Sequence, residues 1–178
     1  MRIFRFAILL FLLFLLCRGP IYRNIIHYHE IAERPGISLT NDDLLAQLDT
    51  DLKSLSEMIN MAKRATTKRL KFTTGDASRN PNSIYVTGQA NCIGYAALFN
   101  AIANQLIINQ GWEGRYVARH LVGKMDFLGW DLHQIIDHPF FRDHDFNVII
   151  DLETGEKIYI DATVSDYLWI DRVNGRSN

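Results

Sequence analysis

Three residues far apart in the chain have the types needed to act as one chemical unit. Cys92 opens "CIGYAALFNAIANQL", His144 sits in "RDHDFNVII" and Asp161 in "IYIDAT". A thiol attacks a carbonyl carbon as the thiolate, so it needs a base for its proton and a third group to orient that base. Cys92 falls where a helix is expected to start, and aligned peptide dipoles there amount to about half a positive charge, which favours the thiolate. His144 is the candidate base. Asp161 is the candidate orienter, because a carboxylate on the imidazole fixes its tautomer and supports the imidazolium. Taken alone, Cys92 reads more readily as a small buried hydrophobe; its partners shift that balance.

The elements that must bring the three together follow from local pattern. The apolar run after Cys92 predicts a helix to about Asn109, stopped at Gly111. Residues 114–123, "GRYVARHLVG", are rich in β-favouring types, and residues 146–163 read as a hairpin around Glu153, Thr154 and Gly155. His144 stands where the first hairpin strand begins and Asp161 near the end of the return strand. A turn centred between Leu152 and Glu153 puts Asp161 directly opposite His144. Centring at Glu153–Thr154 moves it one diagonal step, still within reach. A one-residue slip from either register would place the two side chains on opposite faces.

Upstream, Thr40 or Asn41 can cap a helix whose leucines, from Leu44 to Leu55, and Ile59 repeat at helical spacing, ending near residues 63–66. Residues 73–91, rich in Gly, Asn, Ser, Asp and Pro, are expected to form a long surface loop. The order of helix, loop, helix, strand and hairpin predicts an α+β domain with helices packed on an antiparallel sheet and the nucleophile at a helix N-terminus.

At 178 residues, 48% hydrophobic and 22% charged, the chain is sized for one core. A net charge of −1 argues against a nucleic-acid partner, and the basic run "KRATTKRLK" at 63–71 reads as a solvated face. With two cysteines, Cys17 and Cys92, no disulfide framework is expected. Arg2 and Arg5 precede "FAILLFLLFLLC", which has the pattern of an export signal. Residues 1–17 are thus read as an uncleaved membrane anchor, with a cleaved signal peptide the close alternative. Arg18, Gly19 and Pro20 are expected to stop the segment abruptly. Residues 18–39, interrupted by Pro20, Pro35 and Gly36, are expected to be a stem, and 40–178 the domain, so that a chain beginning at Pro35 should fold. His27 and His29 of "HYH" are assigned no role.

The quoted segments around Cys92, His144 and Asp161, with "GWEGRYVARHLVG" between them, resemble the transglutaminase-like superfamily, in particular its bacterial cysteine protease type. The resemblance covers roughly residues 45–165 and rests on order and spacing together. It implies a papain-like α+β core, a Cys-His-Asp triad at Cys92, His144 and Asp161, and acyl transfer from an amide or ester through a thioester on Cys92. Water as acceptor gives hydrolysis; an amine gives cross-linking. Two positions depart from the family's pattern: Ile93, where many members carry an aromatic or acidic residue, and Phe146, where Trp is common.

The backbone N–H of Cys92 is the natural oxyanion donor, since helix-start N–H groups lack helical partners. Gln89 or Asn91 is the candidate second donor, against the commoner use of such residues in their own turns. No metal cofactor is expected. "DLETGE" lacks the ligand spacing of a calcium loop, and the rival metal cluster of Asp137, His138, Asp143, His144 and Asp145 has no helical ligand pair. His120 and His133 are expected to be structural or surface histidines. A non-catalytic binding module on the same fold is the other alternative. The export signal points to a peptide or protein substrate of the cell envelope, with membrane contact through the N-terminal segment only. Tyr85, Trp112, Trp130, Phe140, Phe141 and Trp169 are candidates to line a groove, although aromatics at such spacings more often pack in a core.

Overall fold

In chain order the protein forms α1 (Arg2–Ile25), β1 (Ile26–Arg34), α2 (Asp42–Leu45), α3 (Leu55–Arg69), β2 (Lys71–Phe72), α4 (Pro81–Thr87), β3 (Gln89–Ala90) and α5 (Cys92–Asn109). There follow β4 (Tyr116–Phe127), β5 (Trp130–Asp131), α6 (Leu132–Ile135), α7 (Pro139–Arg142), β6 (His144–Asp151), β7 (Lys157–Ile160), α8 (Ala162–Leu168) and β8 (Asn174–Arg176). The structure, a computed structural model, describes residues 2–48, 51–137 and 139–177. The main sheet runs β7-β6-β4-β1-β8, with β5 paired to β4. Its neighbours are antiparallel except β1 and β8, which are parallel. The expected α+β class is therefore present, with helices on a mostly antiparallel sheet.

Strand periodicity divides the core in two. Tyr116, Ala118, Ile149, Ile158 and Ile160 face the helical layer with α3, α4 and α5. Leu121, Met125, Phe146, Val148 and Tyr159 point to the other face, where Tyr28 and Val173 complete a second cluster. Helix α5 is apolar around most of its circumference, as a core helix must be, and its buried Asn100 is satisfied by donating to Ala118 O at 3.0 Å. By length and composition it could cross a membrane, yet it is mostly buried inside the protein. Its N-terminus, the expected position of Cys92, is where the sequence reading placed it, and Gly111 follows its end at φ 66°.

Several boundaries differ from expectation. The single helix expected from Thr40 is two: Asn41 caps the short α2, and Ser54 starts α3 by accepting the Glu57 N–H at 3.2 Å while the Glu57 carboxylate accepts the Lys53 N–H at 2.7 Å. The expected loop at 73–91 contains α4. Asn80 caps it, Pro81 occupies its first turn and Gly88, at φ 69°, ends it in the left-handed region that favours glycine. The basic run is only partly a solvated face. Lys63 is buried and reaches Asp171 at 2.6 Å, and Arg69 donates to the carbonyls of Tyr85 and Val86.

The largest correction concerns the N-terminal region. The helix does not stop at Arg18, Gly19 and Pro20 but continues to Ile25 with Pro20 inside it. Arg18 accounts for this: its Nε donates to Leu168 O at 2.9 Å and its guanidinium lies over the Trp169 ring, so this half of α1 docks on α8. The expected stem at 18–39 holds β1, a central strand between β4 and β8. Its approach to β4 is so close that a Cβ on Gly123 would stand 2.4 Å from His29 O and 2.6 Å from Phe146 Cε1. The domain thus does not begin near Thr40.

Removal of β1 would expose the inner edges of β4 and β8 and uncover Tyr28's neighbours. A chain beginning at Pro35 is expected to aggregate or to lack a cooperative thermal transition; a soluble product that unfolds in one sharp step would show that β1 is dispensable.

Candidate active site

Asp161 ends the return strand and caps the next helix. Its Oδ1 accepts the backbone N–H groups of Thr163 at 2.9 Å and Val164 at 3.1 Å, which fixes the carboxylate plane at the start of α8. Its Oδ2 accepts from His144 Nε2 at 2.6 Å and from the Tyr28 hydroxyl at 2.9 Å. Both His144 and Asp161 are 1% exposed. The hairpin register makes the meeting possible: Asn147 pairs with Ile160 and Val148 with Tyr159, so Asp161 lies one diagonal step from His144 on the same face. That is the second of the two registers weighed from the sequence.

Cys92 is the first residue of α5 and is 7% exposed. Its thiol lies close enough to the His144 ring to act on it by hydrogen bond and charge. Along β6, Asn147 donates to Ala96 O of α5 while Phe146 packs on Tyr28, so His144 shares the face of Phe146. It is the first residue of β6, paired with Gly123 of β4, and the Cys92 thiol bears on its ring at that end of the strand. With Nε2 held by Asp161, Nδ1 is the ring nitrogen left to exchange a proton with sulfur.

The electrostatics follow from burial and pairing. Burial disfavours the charged imidazole, but the charge and hydrogen bond of Asp161, together with Cys92, overcome it and raise His144 to about 10. Burial likewise opposes the Asp161 carboxylate. His144, the Val164 N–H and Tyr28 outweigh that and hold the carboxyl below its usual range. Tyr28, buried against the same carboxylate, is pushed well above 10.

The other residues singled out in the sequence are distributed as follows. Asn91 caps α5, its Oδ1 accepting the Gly94 N–H at 3.3 Å, so its side chain serves its own turn. Gln89 is exposed on β3. Among the described residues no three His, Cys, Asp or Glu converge as metal ligands. Asp145 instead accepts from Arg34 and lies 2.7 Å from His120 Nε2, Asp143 pairs with Arg142, and His138 lies outside the described residues. His120 is buried in that second His-Asp pair, and His133 is half-buried beside Asp131.

A mainly apolar cleft of about 960 Å³ runs beside the His144 ring, between Tyr22, Ile26, Phe141, Val164 and Tyr167 among others. Of the aromatic candidates, Phe141 lines it. Tyr85 lines a different depression, Trp112 packs on Tyr116, Trp130 and Trp169 are exposed, and the Phe140 side chain is outside the described residues. Sequence reasoning missed Tyr28, the central residue of "HYH"; its one available signal was the β-favouring run around it. No family model, curated protein or solved structure matches this chain.

The raised His144 value gives a pH dependence of fixed sign. Stability from the His144–Asp161 pair is fully present below the unfolded imidazole value of about 6.5 and declines as pH rises from there through about 10. Breaking a buried pair by removing one partner costs about 3–5 kcal/mol. The difference in melting temperature between the native chain and Asp161→Asn is expected to be large at pH 6.5 and to narrow steadily to pH 10. A gap that stays constant over that range would mean that the pair is not ionised.

Proposed function

We propose that this chain is a thiol enzyme that transfers an acyl group from an amide or ester, with Cys92 as nucleophile, His144 as acid and base, and Asp161 as orienter. The observation that carries the reading is one buried imidazole bonded to a carboxylate through Nε2, with the Cys92 thiol near enough to raise its pKa. In that chemistry Cys92 Sγ bonds to the carbonyl carbon, the imidazolium of His144 gives its proton to the departing amine or alcohol, and a thioester remains. Water or an amine then attacks the thioester, His144 takes the incoming proton, and Sγ leaves as thiolate. The N–H of Cys92 at the start of α5 is the donor for the oxyanion.

The resemblance to transglutaminase-like proteases supports the same reading, and with it a papain-like arrangement of helix, sheet and triad. Arg2, Arg5 and the apolar run after them support an exported or membrane-anchored domain acting on a peptide or protein of the envelope. The cleft beside His144 favours an acyl donor with a bulky apolar flank. The burial of Cys92 favours a second reading, a binding module that keeps the fold without the chemistry.

Thiol reactivity separates them. In a Cys17→Ser background, Cys92 is expected to alkylate with iodoacetamide at pH 6, where an ordinary thiol of pKa about 8.5 is almost wholly protonated. His144→Ala should remove most of that reactivity, and Asp161→Ala should weaken it less. A thiol that reacts only at alkaline pH, indifferent to His144→Ala, would establish the binding module. For the substrate, a chloromethyl ketone flanked by Phe is expected to label Cys92 faster than one flanked by Asp; equal rates would remove the apolar preference.

A further inference from the structure

The hydrogen bonds behind Asp161 extend beyond the three residues. Tyr22, on the docked half of α1, has its hydroxyl 2.6 Å from the hydroxyl of Tyr28, and Tyr28 OH donates to Asp161 Oδ2 at 2.9 Å. Each phenol carries a single proton. Since that of Tyr28 is committed to the carboxylate, Tyr28 must accept from Tyr22, and the chain has one direction: Tyr22 to Tyr28 to Asp161. His144 approaches the same oxygen from the other side at 2.6 Å. Tyr28 is wholly buried and its ring also stands edge-on to His144, with centroids 5.8 Å apart. Hydroxyl and ring therefore hold both members of the pair.

The same helix grips the other end of α8. Arg18 donates to the carbonyls of Leu168 at 2.9 Å and Trp169 at 3.3 Å, one turn of α1 before Tyr22. Asp161 caps the first turn of α8. Thus α1 fixes α8 at its last carbonyls directly and at its capping carboxylate through two phenols. Asn174 Nδ2 adds a bond to Arg23 O at 3.0 Å, tying β8 to the same segment.

We infer that Tyr22 and Tyr28 are positioning residues that hold the Asp161 carboxylate against His144, which makes the end of the N-terminal helix a working part of the candidate active site. The inference rests on the thiol-enzyme reading for its catalytic meaning, but the hydrogen-bond chain is testable without it. The groups facing Asp161 are His144 from β6, Tyr28 from β1, and Tyr22 from α1 through Tyr28; Cys92 from α5 lies beyond the imidazole. Donation by a hydroxyl favours the ionised carboxylate, so losing it raises the pH at which Asp161 takes up a proton.

The test uses the full chain with Cys17→Ser and the variants Tyr22→Phe, Tyr28→Phe and the two combined. Two readouts are followed against pH: the downfield proton NMR signal of the His144 Nε2–H bonded to Asp161, and the rate of Cys92 alkylation by iodoacetamide. A hydrogen bond to a charged group corresponds to roughly one pH unit. Tyr28→Phe is expected to raise the acid limit of the NMR signal by about one unit and to slow alkylation at pH 6 about tenfold. Tyr22→Phe should act in the same direction by less. The double variant should match Tyr28→Phe alone, because Tyr22 reaches Asp161 only through Tyr28.

A parent Cys92 that does not alkylate at pH 6 would end the thiol-enzyme reading, while the NMR limits would still decide the chain. An acid limit unmoved in both single variants, or additive shifts in the double variant, would overturn the inference with alkylation intact. Should Tyr28→Phe fail to fold, Tyr22→Phe, at a half-buried residue on the outer end of the chain, carries the test by itself. A shift there supports the relay, and no shift overturns it.

Discussion

Everything near the candidate site depends on burying one carboxylate in ionised form. An unpaired carboxylate at 1% exposure is not sustainable, so the structure must supply partners from every side. Asp161 receives four: two backbone N–H groups of α8, the imidazole of β6 and the phenol of β1. They come from three parts of the fold. The starts of α8 and β6 and the first half of β1 are consequently fixed relative to one another by a single side chain. The same compensation that makes the charge tolerable also orients the imidazole beside Cys92, so stability and the proposed chemistry would share their hydrogen bonds here.

The second His-Asp pair shows why pairing alone does not define such a site. His120 and Asp145 are as buried as His144 and Asp161 and meet at 2.7 Å, yet Arg34 closes the far side of Asp145 with two further bonds. That carboxylate is neutralised by a permanent cation, and the arrangement joins β1, β4 and β6 on the helical face. At His144 the position beyond the imidazole belongs to a thiol at a helix start. The difference lies in what stands beside each imidazole pair, a guanidinium in one and a thiol in the other.

The site was legible in the sequence to the extent that it depends on residue chemistry and local register. Cys and His are few, and the period of two along a hairpin limits His144 and Asp161 to a same-face or opposite-face choice. Tyr28 was not legible because phenols form no motif and its partner is 133 residues away. Strand β1 was hidden for another reason. It lies centrally, but only Tyr28 is fully buried along it, and others of its residues make charge pairs, Glu30 with Lys157 and Arg34 with Asp145, so no apolar alternation marks it. Helix α4 was misread since Asn-Pro and Gly are both loop composition and helix punctuation, and only the seven residues between them decide which. The split between α2 and α3 turns on Ser54, a cap whose hydroxyl interrupts an otherwise continuous leucine pattern.

The parallel pairing of residues 27–29 with 174–176 has a consequence for how the molecule comes into being. Strand β1 is made long before β8, and its far edge stays open until residues 174–176 have followed. Contacts of such sequence separation are slow to form and leave intermediates with unpaired strand edges. The sheet cannot close on this edge before β8 has been made. Until then β1 offers its free edge to any other strand, so the cost of this topology falls on the unfinished molecule.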